Sequence, residues 1–179
     1  MHPDVLWFVL ALVLAGVYLS WTAGRLDRLH ARVDSSRAAL DAQLVRRSAV
    51  AMELATSGLL DPASALLIAD AAHAARQAEG DDRPPAESDL SRALRAALDQ
   101  PEQLEELTST GDGRQLVDEL EAAARRVGMA RRFHNDAVAA ARALRAKRHV
   151  RYLRLAGHAP PPLTFECDDA PPECLARVL

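Results

Sequence analysis

The side chains in this sequence that could do chemistry are one histidine on an apolar stripe, two arginine pairs, and a run of cations late in the chain. His134 stands between Phe133 and Asn135, and an imidazole titrates near neutrality, so it could act as a pH-sensitive switch or a ligand. A single His without a placed nucleophile or carboxylate is not a catalytic site. The other reading is a partly buried ring, hydrogen-bonded to a neighbour and filling the place of an aromatic. Arg46-Arg47 and Arg131-Arg132 could bind an anion or an acidic partner, or pair between helices with Asp41, Asp136 or Glu119. Adjacent residues on a helix face different ways, which argues for structural pairing over one shared small site. Arg142, Arg145, Lys147, Arg148, Arg151 and Arg154 form the densest positive charge. Such a cluster is either a solvated helix end, where cations suit the dipole, or a contact for anionic lipid or a partner.

Other chemistry is not signalled. The six His and the two Cys show no C-x2-C or H-x3-H spacing, so no metal is expected. Cys167 and Cys174 lie in a proline-rich tail, where a cytoplasmic location would keep both reduced. There is no glycine-rich phosphate loop, no GxSxG and no HExxH, so no cofactor, small-molecule substrate or enzymatic activity is inferred. A formal net charge of −3 gives no reason to expect nucleic acid.

The elements that must carry these groups are helical. Alanine, leucine and arginine dominate, and aromatics make up only 4%. That composition favours helix, with close helix–helix contacts rather than a bulky interior. From Val5 to Gly24 there is no charge, and about 30 Å of helix would cross a hydrocarbon core. Trp7, Tyr18 and Trp21 stand near its two ends, as interfacial aromatics do. No Lys or Arg precedes the span and no clean A-x-A site follows, which argues for a retained anchor over a cleaved signal. Arg25, Arg28, Arg32 and Arg37 crowd the C-terminal flank. The positive-inside rule then puts the N-terminus outside and the rest in the cytoplasm, at the inner (plasma) membrane.

Beyond the span, Leu26, Leu29, Val33, Leu40, Leu44 and Leu54 keep helical spacing, so the anchor helix should continue to about Ser57, stopped by Gly58. Asp61-Pro62 reads as the start of a second helix ending near Glu79. Gly80 to Glu87 is polar and rich in breakers and reads as a loop. A third helix follows from Leu90 to about Gln100, capped by Ser88 or Asp89. A short irregular or one-turn segment starts at Pro101, and Gly111-Asp112-Gly113 marks another break. The last helix should run from Arg114 to about Ala156, with a seam of Leu116, Leu120, Ala123, Val127, Ala130, His134, Ala137, Ala141 and Leu144. The expected division is an anchor over 1–24, an antiparallel up-and-down helical bundle of about four helices over 25–157, and an irregular tail over 158–179. Such threading returns the basic end of the last helix toward the membrane.

Two stretches then carry a family resemblance. Ala130-Arg131-Arg132-Phe133-His134-Asn135-Asp136-Ala137-Val138 resembles the ARRFYN[DE]AV signature in the last helix of the LemA family. Leu40-Asp41-Ala42-Gln43-Leu44-Val45-Arg46-Arg47 is similar to that family's IDVQLKRR segment, and Phe165-Glu166 to its closing FE. His134 replaces the usual Tyr, Ala49 to Met52 replaces an IPNLV-like stretch, and Gly80 to Pro85 interrupts a region that tends to be helical in relatives. The resemblance implies a divergent member of a bacterial family of membrane-anchored antiparallel helical bundles of poorly defined function, and it does not imply an enzyme; a non-enzymatic interaction or scaffold protein is the expectation. Lipid bilayer and a membrane-protein partner are the expected contacts. A self-associating structural protein is an alternative, and a hydrolase with a site near His134 a more distant one.

Overall fold

The structure, a computed structural model, describes residues 3–153 and 160–172; Arg154 and Cys174, both singled out above, lie outside the described residues. Among the described residues the fold is all-α, with six α-helices and no strand. Helix α1, Pro3–Thr56, is unbroken over 54 residues, as the absence of internal breakers implied. Its N-terminal part is long and apolar enough to cross a membrane, and there its large apolar side chains, among them Trp7, Phe8 and Leu14, are exposed. Gly58 follows the helix with φ +75, a left-handed conformation that costs a glycine nothing.

Helix α2, Pro62–Gln77, starts as its sequence requires: the Asp61 carboxylate accepts from the Ala63 and Ser64 amides, and Pro62 occupies the first turn. The stretch read as a loop is not one. A 3-10 turn at Gly80–Asp82 leads directly into α3, Arg83–Leu98. Pro84 and Pro85 fall in the first turn, where backbone N–H groups have no helical partner, so their missing donors cost nothing. Helix α4 spans Pro101–Ser109. Helix α5, Gly111–Arg145, begins before Gly113 rather than after it. The Thr110 hydroxyl accepts from the Gly113 amide, and a side chain at 113 would meet the Leu107 carbonyl oxygen at 2.0 Å. This break therefore needs glycine for close approach, not for a turn.

The last helix also ends earlier than expected. Lys147 is extended (φ −63, ψ 136), and a short helix α6, Arg148–Tyr152, follows. In one straight helix Val150 would sit about 240° around from Leu144. The break brings both onto Leu26 in one apolar cluster.

The chain divides into two compact units. The first comprises Met1–Arg37 and His134–Thr164. In it Val33 packs with Ala137, Val138 and Ala141, and Leu26 with Leu144 and Val150. Low numbers meet high ones in order, which is the antiparallel pairing of α1 with α5. The second comprises Ala38–Phe133 and Phe165–Leu179. Its main core joins Val50, Leu54, Ile68, Leu90, Leu98 and Leu120. A smaller cluster sets Phe165 against Leu40, Leu44 and Val127. The described part of the tail is irregular, as expected, but it is packed: Phe165 is fully buried.

Candidate functional site

Within the first unit His134 is 2% exposed. Its Nδ1 lies 3.2 Å from the Ser36 hydroxyl and its Nε2 3.3 Å from the Leu163 carbonyl oxygen. Both ring nitrogens therefore have partners, one on α1 and one on the chain that returns past α5. The ring fills a place in the seam and ties two segments together, which is the structural alternative stated for it above.

The arginine pairs divide as neighbours on a helix must. Arg46 is exposed and meets Glu119 at 3.1 Å, the expected partner. Arg47 does not use Asp41, Asp136 or Glu119. It is buried and donates to Glu87 Oε2 at 2.7 Å, to the Glu87 carbonyl at 3.0 Å and to the Ser91 hydroxyl at 3.0 Å. Its partner comes from the stretch read as a loop, so the sequence offered no helix face on which to place it. Arg83 approaches the other Glu87 oxygen and Asp41, both at 3.8 Å. Burial pushes the Glu87 carboxyl above its ordinary pKa, against the pull of Arg47. The cluster is a desolvated polar joint between α1 and α3.

Arg131 makes a two-pronged contact to Asp169, with Nε and Nη2 at 2.9 and 3.0 Å from its two oxygens, and Glu166 stands 3.9 Å away. Arg95 pairs with Asp168 and donates to the Ala170 carbonyl at 2.8 Å. The Asp168 amide donates to the Ser88 hydroxyl at 3.0 Å. These contacts hold the tail of the second unit in a fixed path, with Phe165 as its apolar plug. Asp168 and Asp169 escaped the sequence reading because an irregular tail has no periodicity to give them a partner. Acidic residues flanking a lone aromatic were the only signal.

That path leaves a cleft of about 630 Å³ along α5 in the second unit. Gly128, Met129, Arg126, Arg132 and Ala170 are among its lining. Arg126 and Arg132 are exposed, as are Met129 at 51% and the adjoining Phe133 at 65%. Phe133 facing water contrasts with the buried Leu44, Ala137 and Val138 of the two stretches that carry the resemblance. Ala130, Gln43 and Asn135 are half-buried, and Asp136 is exposed. The cleft therefore offers apolar surface beside the Arg126 and Arg132 cations, and the one carboxylate in its lining, Asp169, is already engaged by Arg131, a combination that suits an acidic, partly apolar segment.

Of the basic cluster, Arg142 and Arg145 donate to carbonyls of the returning chain, Arg142 while exposed and Arg145 half-buried, whereas Lys147, Arg148 and Arg151 are exposed and free of such bonds among the described residues. Among the described residues no three His, Cys, Asp or Glu side chains gather as a metal site would need. Burial pushes the Cys167 thiol up to about 11, which makes it unreactive rather than nucleophilic. Comparison with protein-family models gave no match, and comparison with curated proteins gave none either.

Proposed function

We propose that this chain is a membrane-anchored, non-enzymatic helical scaffold of the LemA type, its N-terminus outside and its helical units in the cytoplasm. One observation carries the reading. A single helix exposes an uncharged apolar surface from Val5 to Val17 and then becomes a buried core element from Leu26 onward. A surface that size is costly in water and favourable in lipid. The flanking Arg25 and Arg28 support the orientation. The engaged nitrogens of His134 support a structural role for the one residue that suggested hydrolysis. The partner surface in this reading is the Met129–Arg132 cleft, and its occupant is an acidic segment of a membrane-protein partner, matched to the exposed Arg126 and Arg132.

A photo-crosslinking amino acid placed at Met129 in the full chain, activated in native membranes, tests the reading. A reproducible membrane protein crosslinked through an acidic segment is the expected product. Recovery of the chain crosslinked only to itself would refute the adaptor and favour self-assembly.

A further inference from the structure

The cations near the end of α5 are sorted by what they touch. Arg142 donates from Nε to the Pro162 carbonyl at 2.7 Å. Arg145 reaches the Pro160 carbonyl and His30 Nε2, each at 3.3 Å. These two clamp the returning chain within the first unit. Arg148 and Arg151 have no ion pair among the described residues and, with Tyr152, line an open cleft of about 430 Å³.

What fixes this cleft in place is the docking of α6 on α1. Val150 is buried against Leu26, and His149 Nε2 lies 3.4 Å from the Tyr18 hydroxyl, with the two rings 5.5 Å apart. Residues 18 to 26 are where the uncharged span ends: Trp21 is exposed and the Arg25 guanidinium lies over its ring at 5.8 Å. Aromatic rings and the first cation mark the headgroup level of a spanning helix. Helix α6 is therefore held at that level, with Arg148 and Arg151 outward. Tyr152, 88% exposed, and the exposed Leu153 lie beside them.

We infer that α6 is a foot on the membrane surface, and that its Arg148–Arg151–Tyr152 cleft binds the phosphate of an anionic phospholipid. Two guanidinium forks match phosphate oxygens, the Tyr152 hydroxyl adds a donor, and the Tyr and Leu side chains suit the acyl boundary. The assignment rests on the membrane-anchored reading above and not on the partner cleft.

The test is native mass spectrometry of the full chain in detergent, titrated with phosphatidylglycerol or phosphatidylcholine. The parent chain should hold one phosphatidylglycerol about tenfold more tightly than phosphatidylcholine. R148Q/R151Q should bring that ratio close to one, while R76Q, on α2, should leave it unchanged. R148K/R151K, which keeps the charge but loses the fork, should retain a clear preference; circular dichroism checks that each variant stays helical. Equal binding of both lipids by the parent, or an undiminished preference in R148Q/R151Q, would overturn the site. So would displacement of phosphatidylglycerol by inorganic phosphate, which would assign the cleft to a free anion. Alkaline extraction of the source membranes reads the anchor separately. Release of the chain sinks the anchored reading, whereas a retained chain without lipid preference sinks the headgroup site alone.

Discussion

Removing one member of the buried Arg47–Glu87 pair tests the account of how α1 and α3 are joined. Both side chains are at most 2% exposed, and Arg47 supplies three hydrogen bonds to α3. R47M keeps the volume and removes the charge, leaving a carboxylate with no cation at 2.7 Å. Breaking a buried pair in this way costs about 3–5 kcal/mol. A chain of this size loses roughly 2–4 °C of melting temperature per kcal/mol, so a fall of about 10 °C is expected. The Glu87 carboxyl is already raised by burial, and losing Arg47 removes the largest influence that lowers it. A raised carboxyl pKa favours the fold at low pH, where the group is neutral, and the benefit fades as pH climbs through that pKa. The R47M deficit should therefore be smaller at pH 5 than at pH 8. The assay is thermal unfolding of the full chain in detergent, followed by helical circular dichroism. R47M/E87L, with no charge left to bury, should recover most of the loss. A single variant within about 1 kcal/mol of the parent, or a double variant worse than the single, would refute the reasoning.

Three further outcomes follow from the same contacts. F165A should destabilise the second unit by about 3–5 kcal/mol, because it empties the site among Leu40, Leu44 and Val127, and limited proteolysis should then cut first near residues 163–170. The Asp61 carboxyl is lowered to about 2, chiefly by its bonds to Ser64 and then Gln103, so its contribution is present above its unfolded value and lost as pH falls through about 2. D61A should accordingly melt below the parent at pH 6, and the gap should narrow as pH approaches 2. With Cys174 replaced by Ser, Cys167 should alkylate at pH 8 about tenfold more slowly than an ordinary thiol, since a pKa near 11 rather than 9.0 cuts the thiolate about a hundredfold while the more basic thiolate attacks faster.

The long elements were legible because their information is local. An uncharged stretch, then leucines at three and four, specified α1 before any packing was known, and the α5 seam predicted the buried Leu120, Val127, Ala137 and Leu144. The start of α3 was misread because Pro is a breaker only where a backbone N–H is needed, and a first turn needs none. That error hid Glu87, and with it the partner of Arg47. The end of α5 was misread for a tertiary reason: Val150 reaches Leu26 only if the helix breaks at Lys147. The tail's role was illegible because Phe165, Asp168 and Asp169 are placed by contacts more than 35 residues away in sequence, with no period to announce them.

The central claim is that Val5 to Gly24 crosses a membrane with the helical units on the cytoplasmic face. Single-cysteine chains carrying H2C or T110C, with Cys167 and Cys174 replaced by Ser, can be labelled with a membrane-impermeant thiol reagent in intact cells and again after lysis. The account predicts labelling of H2C in intact cells and of T110C only after lysis. Labelling of T110C in intact cells, or recovery of either chain in the soluble fraction, would contradict it.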